Sequence, residues 1–192
     1  MVLETAPRIF RETVKKYGDR VAMRKKEYGI WHDISWNDYS RLVKQVGSAL
    51  ISLGLQKGDS ASIIGDNCPE WVIADMGIQC AGGVAVGIYA TNAWPQVEYV
   101  IENSDSKFFF VENEEQLDKW LSFRDRAPLL KKVIVWDLEG LRHFKDPLVM
   151  TFEELLELGR QELEKNPDLI EQRMDEVQPD DPSILIYPPG PT

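Results

Sequence analysis

The sequence predicts an α/β fold: a mostly parallel sheet flanked by helices, preceded by an N-terminal helix and a β-hairpin. Three observations predict it. From Asp59 onward short apolar stretches alternate with helical ones, the signature of βαβ units. One of those stretches carries Phe108, Phe109 and Phe110 in a row, as a strand buried on both faces does. The chain has 192 residues, 43% of them hydrophobic, which is enough to bury a sizeable core. Three segments follow from the pattern: a helix-hairpin-helix lead-in over 1–58, a βαβ core over 59–136, and a helix, acidic linker and final strand over 137–192.

The first helix is expected from about Thr5 to Tyr17. Thr5 can cap it, Pro7 suits its first turn, Phe10, Val14 and Tyr17 share a face, and Gly18 stops it. Arg20 to Lys25 and Ile30 to Ser35 read as two strands around the Tyr28-Gly29 turn. Ser35 then caps a helix whose stripe runs from Trp36 through Tyr39, Leu42, Val43, Val46 and Leu50 to Leu53, ending at Gly54.

In the core, Ser60 to Ile64 is the first strand. Asn67-Cys68-Pro69-Glu70 opens a helix that is apolar on most sides, through Trp71, Val72, Ile73, Met76 and Ile78. Gly82 to Ile88 is a strand, Trp94 to Asn103 a helix and Lys107 to Val111 a strand. Asn113 and Gln116 predict a capping box before Leu117, Trp120 and Leu121, and Lys132 to Trp136 is the fourth strand. Asp137 to Met150 reads as loop. Thr151 and Glu154 form a second capping box before Phe152, Leu155, Leu156 and Leu163. Between Lys165 and Ser183, three prolines and six acidic residues predict a segment lying across the surface, with a short helix around Leu169 to Val177. Ser183 to Tyr187 is one more buried strand.

Composition restricts function. Twenty-two Lys and Arg against 32 Asp and Glu give a net charge of −10, which repels a phosphate backbone, so nucleic acid is excluded as a partner. No apolar run is long enough for a transmembrane segment, and the N-terminus lacks a signal-peptide pattern, so a cytoplasmic protein is expected. Cys68 and Cys80 match neither a redox pair nor a zinc spacing and read as small core residues. His32 and His143 are too few for a multi-histidine metal site and read as surface or loop residues.

Few residues invite chemistry. Gly82-Gly83-Val84-Ala85-Val86-Gly87 lies before and inside a strand, not between a strand and a helix N-terminus, so it reads as close backbone packing rather than a phosphate cradle. Gly65-Asp66-Asn67 does occupy a strand-to-helix turn, where open α/β sheets bind ligands, although an Asx cap is the simpler explanation. Glu112, Glu114 and Glu115 fit the acidic first turn of a helix, as do Glu153 and Glu154. The six tryptophans, Trp31, Trp36, Trp71, Trp94, Trp120 and Trp136, are scattered as core aromatics are. No serine stands in a nucleophile elbow.

The order of several blocks carries more. Phe10-Arg11-Glu12-Thr13 through Tyr17-Gly18-Asp19-Arg20-Val21-Ala22 is followed by Ser35-Trp36, Leu53-Gly54-Leu55 and Lys57-Gly58-Asp59. Next come Asn67-Cys68-Pro69-Glu70-Trp71, Gly83-Val84-Ala85-Val86-Gly87-Ile88-Tyr89-Ala90-Thr91, Val97 to Ile101 with Ser104, and Phe110-Val111-Glu112. Pro179-Asp180-Asp181-Pro182 precedes the last strand. Together they resemble the N-terminal region of AMP-forming acyl-CoA synthetases, in the long-chain fatty acid CoA ligase branch of the adenylate-forming superfamily. The resemblance spans nearly the whole chain.

In that family the strand matching Ile184 to Tyr187 runs into a T-S-G-T-T-G-x-P-K-G loop that holds the ATP phosphates. Here Pro188-Pro189-Gly190-Pro191-Thr192 follows, with three prolines that have no N–H to offer phosphate and no lysine. The resemblance implies a parent ligase that uses ATP, Mg²⁺ and CoA: a fatty acid carboxylate joins the ATP α-phosphate, pyrophosphate leaves, and the acyl group passes to the CoA thiol. It implies a cytoplasmic parent, peripheral to a membrane, with the remainder of the same ligase as this chain's partner. No catalytic, cofactor-binding or metal residue is assigned within 1–192, and the chain alone is expected to be inactive. Self-association or a loosely held C-terminal segment is also expected. The alternatives are a stand-alone α/β binding or interaction module, for which the length suffices, and a flavodoxin-like nucleotide or flavin binder, which rests on βα alternation alone.

Overall fold

The computed structural model describes residues 4–188. Seven α-helices and eight strands are assigned among them. The lead-in holds α1 (Ala6–Tyr17), the antiparallel hairpin β1 (Val21–Glu27) and β2 (Ile30–Ser35), and α2 (Trp36–Ser52). The core continues with β3 (Ser60–Ile64), α3 (Pro69–Cys80), β4 (Val84–Ile88), α4 (Trp94–Asn103), β5 (Phe108–Val111), α5 (Glu114–Leu121) and β6 (Lys132–Val135). Last come β7 (Val149–Thr151), α6 (Phe152–Lys165), α7 (Leu169–Glu176) and β8 (Ile184–Ile186).

Six strands form one parallel sheet in the order β7-β6-β5-β3-β4-β8. The chain starts at β3 in the interior, steps to β4 on one side, returns past β3 to β5, and moves outward to β7 before crossing the whole sheet to β8. Parallel neighbours need a crossover that packs on a sheet face, and a change of direction puts that crossover on the opposite face. Accordingly α1, α2, α3, α6 and α7 share one core with Ile63, Phe108, Phe110 and Ile134. Helices α4 and α5 share the other with Ile64, Phe109, Val111 and Val133. The three phenylalanines of β5 thus divide by strand alternation and all are fully buried, which is why that stretch carries no polar residue.

Helix α2 forms the spine of the larger layer and packs against both α3 and α6. Its start is fixed by a capping box in which Ser35 Oγ accepts from the Asp38 amide at 3.0 Å and the Asp38 carboxylate accepts from the Ser35 amide at 3.3 Å. Its crossings are made at backbone distance. A Cβ added at Gly159 of α6 would lie 1.8 Å from the Gln45 carbonyl oxygen, and one added at Gly77 of α3 would lie 2.5 Å from Val46 Cγ1. Side chains at these positions have no room.

Several expectations are refined. Val149–Thr151, within the stretch read as loop up to Met150, pairs with β6 as an edge strand of three residues, too short to show alternation and preceded by Pro147. Thr5 takes the N-cap position of α1, but its hydroxyl makes no cap bond and is buried without a partner. The Lys165–Ser183 segment does more than cross the surface: α7 buries Ile170 and Met174 in the larger core. Cys80 is buried and Cys68 half-buried, both as free thiols, and burial pushes the Cys68 thiol up to about 11. His32 and His143 are exposed. Trp120 is fully buried, whereas Trp31 and Trp94 lie on the surface rather than in the core. The final strand is not buried on both faces, since Ile184 is 49% and Ile186 77% exposed.

Gly159→Ala is expected to lower stability by about 1–3 kcal/mol through overpacking, although alanine is the better helix former by about 1 kcal/mol. Urea denaturation followed by circular dichroism reads the sign.

Candidate functional site

The reversal of strand order beside β3 leaves a crevice at the carboxyl ends of the strands, the place where open α/β sheets bind ligands. A cleft of about 600 Å³ occupies it. Gly65, Asp66 and Asn67 from the β3–α3 turn form one wall, with Trp71 and Asp75 of α3 above them. The end of β4 and its loop, Gly87 to Thr91, form the floor, and Ile184, Ile186 and Tyr187 the far side. The turn named from sequence as a ligand-binding candidate is therefore in the cleft. The glycine run contributes only Gly87, while Gly83 is packed so that an added Cβ would meet the Asp59 carbonyl oxygen at 3.1 Å.

Each wall is held from outside. Glu112 does not belong to the first turn of α5, which takes only Glu114 and Glu115; its carboxylate instead accepts from the Asp66 amide at 2.8 Å. An added Cβ at Gly65 would fall 2.6 Å from the Trp136 ring and 2.8 Å from Glu112 Cβ, so the turn is pressed against the ends of β5 and β6. No Asx cap is formed: the N-cap of α3 is Cys68, without a side-chain cap bond. On the floor, the Ala90 carbonyl accepts from Lys119 Nζ at 2.7 Å and from Gln116 Nε2 at 3.4 Å. The predicted Asn113–Gln116 box is thereby half made. Asn113 accepts from the Gln116 amide N–H, while the Gln116 side chain is drawn to the loop carbonyl instead of the cap. At the far side, the Tyr187 hydroxyl donates to Asn103 Oδ1 at 2.8 Å, and its ring meets Tyr99 edge-on.

Asp75 was not singled out by sequence. It is half-buried on an otherwise apolar helix, and both carboxylate oxygens accept from Gln79 Nε2 at 3.1 Å. No cation pairs with it among the described residues, and burial raises its pKa despite the Gln79 bonds. The one signal in the sequence was an acidic residue within Trp71-Val72-Ile73-Ala74-Asp75-Met76. A buried titratable group in a cleft marks a functional candidate.

Among the described residues, the only charged side chains lining the cleft, Asp66 and Asp75, are both anionic. By themselves these residues do not fit a polyphosphate, which needs cations or converging N–H groups. Among the described residues no three His, Cys, Asp or Glu converge to hold a metal ion. The cleft can accept an apolar or cationic group between Trp71, Ile184 and Asp75, and among the described residues it presents no nucleophile activated by a neighbouring base.

Asp75→Asn is expected to raise the melting temperature at pH 7, because the folded state disfavours the charged carboxylate. The folded pKa lies above the unfolded value of about 3.9. The gain should be full above the folded pKa and vanish as pH falls below the unfolded one. Thermal melts of both proteins across that range read it.

The residues from Phe10 to the end of the chain, 10–192, match the family model described as AMP-binding enzyme. The chain is 36% identical over 192 residues to the long-chain-fatty-acid–CoA ligase ACSBG2 of Xenopus laevis, covering 98% of this chain and 25% of that protein. It is 32% identical over 188 residues to the human long-chain-fatty-acid–CoA ligase ACSBG1, with 98% and 25% covered. It thus spans about a quarter of the length of these relatives. Among solved structures, its fold is similar to coronafacic acid ligase from Pectobacterium brasiliense, with a TM-score of 0.72, 21% identity and coverage of 93% of this chain and 32% of that one. It is also similar to an anthranilate CoA ligase in complex with anthranoyl-AMP, with a TM-score of 0.71, 22% identity and coverage of 82% and 28%. With ordered sequence blocks, a parallel sheet and a family match over nearly its whole length, the chain belongs to the AMP-binding enzyme family.

Proposed function

We propose that the chain is the N-terminal region of a long-chain fatty acid–CoA ligase, which joins a fatty acid to CoA through an acyl-adenylate at the expense of ATP with Mg²⁺. The observation that carries this is 98% coverage of the chain by ligases of that specificity at 36% and 32% identity. The domain organisation follows. Residues 1–192 are the first portion of the AMP-binding large domain: 1–58 the lead-in, 59–136 the βαβ core and 137–192 the segment that returns the chain to β8.

The role of this portion is architectural. Lys119, Gln116 and Tyr187 hold the cleft walls at the carboxyl end of the sheet, where the remainder of the ligase, its partner, supplies the groups for ATP, fatty acid and CoA. No catalytic, cofactor-binding or metal residue is assigned within 1–192. The parent is cytoplasmic and peripheral to a membrane. Among the described residues no helix is long and apolar enough to cross one.

The chain alone, given ATP, Mg²⁺ and palmitate, is expected to release no pyrophosphate. A chimera in which it replaces the matching quarter of the Xenopus laevis ligase is expected to form palmitoyl-CoA. Pyrophosphate release by the chain, or a folded chimera without ligase activity, would overturn the assignment. A second expectation concerns β8, a sheet edge whose Ile184 and Ile186 are exposed. The chain by itself should self-associate as concentration rises, and Ile184→Ser with Ile186→Ser should return it to monomer in light scattering.

A further inference from the structure

The edge of the sheet opposite the cleft carries a second cavity that the ligase reading does not use. It has a volume of about 590 Å³ and opens between the ends of β6 and β7, the start of α6 and the connection over 137–148. Its apolar wall is Val135, Leu138, Leu141, Phe144 and Val149. Val135 is buried, and Leu141, Phe144 and Val149 pack against the smaller core, so this wall is part of the fold. The connection is fixed at several points. Asp146 accepts from Arg124 Nε at 2.8 Å and from the Leu148 amide at 2.8 Å, and Lys132 Nζ donates to the Pro147 carbonyl at 2.7 Å. At Gly140 the backbone lies so near α5 that an added Cβ would collide with the Glu114 carboxylate.

Among the described residues four charged side chains line this cavity, and they divide by engagement. Both carboxylates are used within the chain: Asp146 by Arg124 and Leu148, and Glu154 in the cap of α6, where it accepts from the Thr151 amide at 2.7 Å. Both cations are free. Arg142 and Lys145 are exposed and make no ion pair or side-chain hydrogen bond among the described residues. The charge open to a guest is therefore positive, in a chain of −10. A peptide strand added to β7 is disfavoured, because the amides of Leu148, Val149 and Thr151 already donate to the Asp146 carboxylate, the Asp146 carbonyl and Glu154. What remains on offer is side-chain chemistry: two cations beside an apolar wall.

We propose that this cavity binds a singly charged carboxylate amphiphile, with its alkyl or aryl body against Leu141, Phe144 and Val149 and its carboxylate held by Arg142 and Lys145. A guanidinium presents a planar fork of donors that matches the two carboxylate oxygens, and a lysine beside it adds a point charge. The cavity is of the size that small-molecule sites have, and a few polar groups on an apolar lining is their usual chemistry. A dianion such as a phosphate monoester fits less well, since Asp146 and Glu154 stay charged in the same wall and repel the second charge. The inference does not rest on the ligase assignment, and the site lies across the sheet from the cleft, beside β7 and not β8.

The test is calorimetric titration of the 192-residue chain at pH 7 with decanoate, decanol and decyltrimethylammonium, each below its micellar concentration. Decanoate is expected to bind, decanol about tenfold or more weakly for want of charge-assisted hydrogen bonds, and decyltrimethylammonium not measurably. Affinity should fall roughly fourfold for each methylene removed from decanoate. Arg142→Gln with Lys145→Gln should lower decanoate affinity to that of decanol and leave decanol binding unchanged. Both side chains are exposed, so the variant keeps its fold, which circular dichroism checks. Amide shifts on adding decanoate, read by nuclear magnetic resonance, should centre on residues 135–151 and spare 65–67 and 87–91. Absence of decanoate binding, equal affinity for decanoate and decanol, or affinity unchanged in the double variant would each overturn the proposal. So would shifts centred on 65–67 and 87–91, which would place the carboxylate in the cleft instead.

Discussion

Everything on the larger face of the sheet depends on how closely α2 can be approached. Gly77 lets α3 lie against Val46, Gly159 lets α6 touch the α2 backbone at Gln45, and Gly47 leaves room for Ile170 of α7. A glycine inside a helix costs roughly 1 kcal/mol relative to alanine. Three of them at helix crossings indicate that packing, not local propensity, sets the geometry. Were α3 displaced outward by one methyl layer, Trp71 and Asp75 would move with it and the cleft would lose its upper wall. A constraint in the helical layer is in this way felt at the carboxyl end of the sheet.

Charge works in the same direction. The acidic α7 and the segment after it are tied to the lead-in by Arg11 to Glu171 and Asp175, Lys44 to Glu171, and Lys57 to Asp181, with Lys57 also donating to the Glu176 carbonyl. Exposed pairs contribute about 0–1 kcal/mol each, but Arg11 and Glu171 are partly buried and share partners. Burial opposes ionisation of Glu171, yet Lys44 and Arg11 outweigh it and lower its pKa. Cations of the first third of the chain thereby hold anions of the last quarter, and guide the crossing to β8.

The helices and the interior strands were legible because their patterns are long or uniform. The capping boxes at Ser35 and Thr151 and the run Phe108–Val111 leave little choice of structure. What escaped is what sequence neighbours do not determine. The edge strand Val149–Thr151 exists because β6 offers it an open ladder. Trp31 and Trp94 are as apolar as Trp120, and only three-dimensional placement separates the surface pair from the core. The cleft was partly visible, through a strand-to-helix turn at Gly65. Lys119 and the loop contact of Gln116 were not, since both reach Ala90, more than twenty-five residues away, and Asp75 was not, since only the folded cleft distinguishes it from any acidic residue on a helix.

The crossing to β8 has a consequence for the order of assembly. Ala85 and Ile184, direct neighbours in the sheet, are roughly a hundred residues apart, so their pairing closes the longest loop between paired strands, at the largest entropic cost within the sheet. During synthesis β3 to β6 can pair as they leave the ribosome, each beside a strand already made, whereas β4 must wait with an open edge until Ile184 to Ile186 arrive. The cleft is consequently the last feature to be completed. A nascent chain shorter than this would show a strand edge to any chaperone or neighbouring polypeptide, and the arrival of β8 both ends that exposure and finishes the pocket.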